Sequence, residues 1–184
     1  MKTLILDGLW GGHSRWEGLR GRIEREVGPC GIWRYENSGR TSLEVVAARL
    51  VDRLQEGGVG NLVGYSMGGL VIREALRQAP GLGVRRAAFL HSPHRGSLVA
   101  HLLPFPAFRE MRPGSRFLAR LDESDWRIPS LATWCSSDLM VVPGVSACWE
   151  RAEARHHCTM PAHAWPVFSR QVHGLVVRFL ASGS

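Results

Sequence analysis

Asn61-Leu62-Val63-Gly64-Tyr65-Ser66-Met67-Gly68-Gly69-Leu70-Val71 joins a short apolar run to a longer amphipathic one through the pattern G-x-S-x-G. The run before Ser66 has strand character, and Met67 to Gln78 has helical spacing, so the spacing predicts a strand, a sharp turn and a helix in immediate succession. A serine in such a turn projects its hydroxyl above the sheet, and small flanking residues let the backbone pass close to its neighbours. The helix that follows aims its first N–H groups at negative charge developing on a nearby oxygen.

The same alternation extends in both directions. Lys2 to Leu6 is a short apolar run ending at Asp7-Gly8, followed by Gly11, Gly12 and an amphipathic stretch from about Trp16 to Val27. Gly31 to Tyr35 is a second strand-like run, and Asn37-Ser38-Gly39 leads into Thr41-Ser42-Leu43-Glu44, which has the capping-box pattern of a helix start. Leu43, Val46, Ala47, Leu50, Val51 and Leu54 then mark one helical face, closed by Gly57 and Gly58. Downstream of the serine, Ala87 to Leu90 ends in Ser92-Pro93-His94-Arg95-Gly96, and Leu131 to Cys135 ends in Ser136-Ser137-Asp138. Arg155 to Thr159 is a weaker strand candidate, and Phe168, Val172, Leu175, Val176 and Phe179 mark a closing helix. Between Leu98 and Ile128, Pro104, Pro106 and Pro113 interrupt any long helix, which predicts short helices over one end of the sheet. Strands alternating with helices imply a mostly parallel sheet covered on both faces, with functional residues at the carboxyl ends of its strands.

Length and composition agree with one compact α/β domain spanning residues 1–184. A chain of 184 residues supports a full core but not two ordinary domains, and 45% apolar with 21% charged residues is a globular balance. No run approaches the roughly 20 apolar residues of a bilayer-spanning helix, which argues against integral membrane association. The amino-terminal apolar run is too short for a signal peptide, so a cytoplasmic location is expected. All but Lys2 of the 23 basic residues are Arg, and the net charge is +7. They are scattered without a run of three, which argues for a solvated surface and against nucleic-acid binding. Cys30, Cys135, Cys148 and Cys158 show no C-x-x-C or zinc spacing, and buried thiols are expected; a Cys148–Cys158 pair in an exported protein stays open.

Val63 to Val71 resembles the serine turn of bacterial lipases and esterases in the α/β-hydrolase superfamily. Asp7-Gly8-Leu9-Trp10-Gly11-Gly12, with Trp16 and Leu19, is similar to that family's oxyanion loop, and Ser92-Pro93-His94-Arg95-Gly96-Ser97 to the loop after its next strand. The resemblance covers nearly the whole chain. It implies a minimal α/β-hydrolase fold of about six mostly parallel strands, with residues 97–128 as a small helical cap. It also implies a serine carboxylic-ester hydrolase acting through an acyl-enzyme, with a small-molecule ester as substrate and neither metal nor organic cofactor.

A serine hydroxyl needs a base, and the base needs an orienting carboxylate. The family's order along the chain is serine, acid, histidine. Ser66 is then the nucleophile and Asp138 the acid, since Asp138 follows a strand and precedes Met140-Val141-Val142-Pro143, which is similar to the family's acid loop. An Asp in a turn can equally be a backbone-bonding residue, while Asp122 and Asp125 fall among the covering helices. His163 is the base, from its place between the last strand and last helix; His156 and His157 fall in the strand candidate and His173 in the helix. His94 precedes the acid and is expected to be structural. The backbone N–H groups of Leu9 and Met67 are the implied oxyanion donors. The family usually has His where this chain has Asp7, which changes hydrogen bonding beneath the oxyanion loop. Trp10, His13, Phe105 and Phe108 are pocket candidates; Trp16 and Leu102 are further candidates for an apolar wall, with a core role equally open. Acyl transfer or thioester hydrolysis would use the same residues, and a catalytically silent binding protein would share the fold.

Overall fold

The structure, a computed structural model, describes residues 1–182 and, of His13, the backbone but not the side chain. Six strands, β1 (Lys2–Leu6), β2 (Cys30–Trp33), β3 (Val59–Tyr65), β4 (Arg86–Leu90), β5 (Ser130–Trp134) and β6 (Ala154–His157), form one sheet in the order β2-β1-β3-β4-β5-β6. Every pairing is parallel. The order in which strands are added reverses about β1, which has β2 on one side and β3 on the other, so a crevice opens where the loops after β1 and β3 leave the sheet.

Side chains of successive strand residues point to opposite faces. Leu4, Leu6, Leu62, Ala87 and Phe89 therefore enter one core, whereas Ile5, Val63, Ala88 and Leu90 enter the other. The first face is covered by α2 (Leu43–Gln55), α3 (Met67–Gln78), α4 (Pro106–Glu110) and α5 (Arg116–Glu123). The second is covered by α1 (Glu17–Glu26) and α7 (Arg170–Ala181), with the short α6 (Trp165–Phe168) leading into α7. All seven residues of β3 are buried, as expected of a central strand clothed on both sides.

Several boundaries moved. The helix expected to start on a Thr41 capping box starts after Ser42, whose hydroxyl accepts from the Val45 N–H, because Glu44 turns outward to Arg120. The last strand is an edge strand, Ala154–His157, with alternating exposure. Residues 97–128 comprise a 3-10 turn at Leu98–His101, then α4 and α5. The four cysteines, Cys148 and Cys158 included, are free thiols. Among the described residues, no helix is long and apolar enough to cross a membrane.

Candidate active site

Ser66 sits between β3 and α3 with φ 51° and ψ −123°, a left-handed conformation that costs a non-glycine residue of order 1–3 kcal/mol. Its surroundings enforce the bend. A Cβ on Gly64 would stand 2.6 Å from the Gly69 Cα, and one on Gly68 would stand 2.6 Å from the Leu6 carbonyl oxygen. Only glycine lets α3 pass this close to β1 and β3. The Ser66 N–H donates to the Leu90 carbonyl at 2.8 Å, anchoring the turn to β4.

The loops after β3, β5 and β6 converge. His163 Nε2 lies 2.9 Å from Ser66 Oγ, and His163 Nδ1 lies 2.7 Å from Asp138 Oδ2. Asp138 is buried, and its Oδ1 accepts from the backbone N–H groups of Met140 at 2.8 Å and Val141 at 3.0 Å. Burial works against its charge. Hydrogen bonds from His163 and His91 and from the Val141 N–H, together with the attraction of His163, outweigh it and hold the carboxyl well below the usual range. An ionised Asp138 fixes the proton on His163 Nδ1, which leaves the Nε2 lone pair facing the serine hydroxyl. The Tyr65 hydroxyl donates to the His163 carbonyl at 3.1 Å and steadies that loop.

Two histidines share the acid. His91, fully buried directly after β4 with φ 49°, places Nδ1 3.1 Å from the same Asp138 Oδ2. Burial lowers its pKa, with the Asp138 hydrogen bond and charge opposing. Ligand atoms of His91, Asp138 and His163 lie within 4.8 Å of one another. Both Nδ1 atoms, however, aim at one carboxylate oxygen at hydrogen-bond distance, and His163 Nε2 faces Ser66, an arrangement of donors about an acceptor and not of ligands about a shared centre.

The loop after β1 lies against the serine, for a Cβ on Gly8 would stand 2.8 Å from Ser66 Cβ. Asp7, buried at its root, accepts from the Gly8 N–H at 2.7 Å through Oδ1 and from Arg15 Nε at 2.9 Å through Oδ2. Asn37 Nδ2 donates to the Gly8 carbonyl at 2.9 Å and the Gly11 carbonyl at 3.1 Å, while its own carbonyl receives the Trp10 N–H. The N–H groups of Leu9 and Met67 donate to no protein acceptor among the described residues.

Beside Ser66 and His163 opens a cavity of about 570 Å³ whose walls include Leu9, Trp10, Leu103, Phe108 and Met111. Trp10 and Phe108 line this cavity, their rings 5.9 Å apart. Phe105 does not line the cavity: it packs edge-on behind Phe108 and carries the Arg40 guanidinium on its outer face. Trp16 is a core residue packed on Tyr65, while Leu102 lines the cavity mouth. The His13 side chain lies outside the described residues.

The remaining candidates are accounted for elsewhere. His94 stacks on Trp149 beside Arg73, and Asp122 pairs with Arg73. His157 lies on the edge strand next to Ser136, and His173 faces the Val167 carbonyl inside α7. Burial pushes the Cys30 thiol up to about 12 and the Cys158 thiol up to about 11, so neither supplies a thiolate near neutral pH. His91, Arg15 and Asn37 are the site residues that sequence reasoning missed. The available signal for His91 was its position at the carboxyl end of the strand next to β3; Arg15 and Asn37 carry no local motif.

No family profile matches the sequence, and no curated protein matches it. Solved structures do. Phospholipase PlaB from Legionella pneumophila, in complex with thio-NAD, is similar with a TM-score of 0.61 and 18% identity over 73% of this chain and 38% of that chain, so this chain spans well under half of the phospholipase. A monoacylglycerol lipase from Paleococcus ferrophilus is similar with a TM-score of 0.72 and 15% identity, covering 100% of this chain and 95% of that one. The thioesterase RedJ, from the prodiginine biosynthetic pathway of Streptomyces coelicolor, is similar with a TM-score of 0.61 and 18% identity over 100% of this chain and 85% of that one. The six-stranded parallel sheet and these likenesses identify the α/β-hydrolase fold.

Proposed function

We propose that this protein is a serine carboxylic-ester hydrolase working through an acyl-enzyme on Ser66. The observation that carries the reading is the unbroken relay from Ser66 Oγ to His163 at 2.9 Å and from His163 to Asp138 at 2.7 Å, at the mouth of an apolar cavity. His163 Nε2 takes the hydroxyl proton as Oγ attacks the ester carbonyl, and Asp138 stabilises the imidazolium that forms. The carbonyl oxygen becomes an oxyanion, received by the N–H groups of Leu9 and Met67, each such donor being worth about 3 kcal/mol. His163 returns the proton to the departing alcohol. Water then attacks the acyl-enzyme by the same route, freeing the acid and Ser66.

The acyl chain lies in the cavity beneath residues 97–128, which act as a small cap, and short to medium acyl esters fit a space of this size. A fluorophosphonate probe, together with hydrolysis of a chromogenic short-chain ester, tests the assignment. Wild-type protein is expected to be labelled once and to turn over the ester; Ser66→Ala is expected to do neither. Equal labelling of both proteins, or a wild type that neither labels nor hydrolyses short esters or thioesters, would leave a binding protein of hydrolase fold.

A further inference from the structure

A second cavity, about 470 Å³, opens between α1 and α7 and is unlike the first in chemistry. Its walls carry Arg15, Arg22, Arg25 and Arg170, with Val167 and Phe168 as the apolar part. Arg15 and Arg22 are neutralised, by Asp7 and by Glu26 at 2.9 Å. Arg25 and Arg170 make no ion pair among the described residues, which leaves two uncompensated positive charges in one concavity.

Both unpaired arginines are exposed at the cleft, and a helix terminus adds to its positive field. Arg170 is the first residue of α7, a 12-residue helix with no acidic residue in its first turn, so a cation stands at the positive end of the helix dipole. Arg22 crosses to this helix, donating to the Arg170 carbonyl at 3.1 Å. Arg178 crowds the same helix: its Nη1 and the Arg22 Nη1 both lie within 3.3 Å of the point a Cβ would occupy on Gly174. Arg178 belongs to the last turn of α7 and lies outside the cleft, so the charge available to an anion is that of Arg25 and Arg170 together with the helix amino terminus.

We propose that the cleft between α1 and α7 is a binding site for a phosphate monoester. An excess of two positive charges matches a dianion better than a lone carboxylate. Guanidinium forks suit phosphate oxygens, which accept paired N–H bonds. The carbon part of the ligand lies on Phe168, which is 66% exposed, and Val167. A concave site of this volume takes a small organic phosphate in preference to a flat membrane surface. Arg15 lines both cavities, so the bound ligand lies next to the Asp7 ion pair beneath the loop at Ser66. The inference does not depend on ester hydrolysis, and its test uses no reaction.

Phenyl phosphate, benzoate and inorganic phosphate are titrated into the full chain at low salt, with binding read by calorimetry and by the arginine side-chain N–H resonances. Phenyl phosphate is expected to bind one per chain, at least about tenfold more tightly than benzoate. The double variant Arg25→Gln, Arg170→Gln, with its unfolding midpoint checked against wild type, is expected to weaken that binding at least about tenfold. Inorganic phosphate binding at the same arginines, more weakly than the phenyl ester, supports the part assigned to Phe168. No saturable binding, equal affinity for benzoate, or a double variant that binds phenyl phosphate as well as wild type would overturn the site. Retention on phosphatidylglycerol vesicles without binding of either phosphate would overturn it in favour of a membrane-facing patch.

Discussion

His91 Nδ1 stands 3.1 Å from Asp138 Oδ2, the oxygen that His163 also addresses. With Nδ1 as donor, His91 holds Asp138 Oδ2 in line with His163 Nδ1, so it positions the base through the acid without touching substrate. A hydrogen bond to a charged group is worth about 1.5 to 3 kcal/mol. His91→Ala is expected to lower kcat about tenfold with KM little changed, since only the charged transition state gains from an aligned acid. His91→Asn keeps a donor near the Nδ1 position and tolerates the φ of 49°, so it should recover most of kcat. An Ala variant with wild-type kcat, or an Asn variant that recovers none of the loss, would reduce His91 to a packing residue.

Asp7 has a comparable role on the other side of Ser66. It holds the Gly8 N–H and Arg15 together beneath the Leu9 loop, and its backbone carbonyl receives the Tyr35 hydroxyl. Asp7→Ala strands the Arg15 guanidinium and the Gly8 N–H, with an expected loss of about 2 kcal/mol in unfolding free energy, less than for a fully buried pair because Arg15 keeps some solvent. Asp7→Asn keeps an oxygen for Gly8 but removes the charge facing Arg15, and should lose less. In both, kcat is expected to fall more than KM rises, since Asp7 anchors the root of the loop beside the Leu9 donor and does not itself line the cavity. Urea unfolding with steady-state kinetics on one short ester separates the two effects; a rise in KM alone would move Asp7 from positioning the loop to binding substrate.

The relay was legible in the chain because each member ends a parallel strand or follows one, and parallel strands present those ends on one side. Ser66 announces itself by its glycines, Asp138 by the turn after β5, and His163 by its place before the last helices. His91 was not legible, although it too ends a strand. Its partner stands 47 positions later, and only the adjacency of β4 and β5 brings them together. Arg15 and Asn37 were hidden for the same reason, since a loop residue that braces another loop leaves no periodic trace. Phe105 was misplaced because α4 turns Phe108, and not Phe105, toward the cavity, a rotation that Pro106 at the start of α4 does not reveal in sequence.

Stability is expected to fall as pH drops below about 6.5, the ordinary histidine value. His94, buried beside Arg73, is held well below that value by burial first and then by the Arg73 and Arg95 charges. Burial lowers His91 and His173 as well. A group whose folded pKa is depressed stays neutral in the fold while the unfolded chain takes up a proton. Its contribution is therefore full above the unfolded pKa and is lost as pH falls, at up to about 1.4 kcal/mol per pH unit for each histidine. Asp138 has the same sign but loses its contribution only below about pH 4, the unfolded carboxyl range, so it does not enter this window. The urea midpoint is expected to be lower at pH 5.0 than at pH 7.5, and His94→Gln should flatten the difference while lowering both values. Equal midpoints for the wild type at the two pH values would mean that these imidazoles charge without cost.

Trp10 is 60% exposed, holds φ 52°, and keeps its ring 5.9 Å from Phe108 at the cavity wall. A large aromatic residue in the left-handed region, with most of its surface in water, contributes little to folding, and such strain persists where a site requires it. The requirement here is an apolar surface beside Ser66. Trp10→Asn separates the two terms, because asparagine accepts a positive φ at small cost and offers no apolar face. Unfolding free energy is expected to stay within about 0.5 kcal/mol of wild type or to rise. KM for a medium-chain ester is expected to rise about tenfold, the loss of roughly 1.4 kcal/mol of apolar contact, with a smaller effect on an acetyl ester. Because Ser66, His163 and both oxyanion donors are untouched, kcat should hold. A variant that loses stability while KM stays constant across acyl lengths would make Trp10 a structural residue and remove it from the acyl wall.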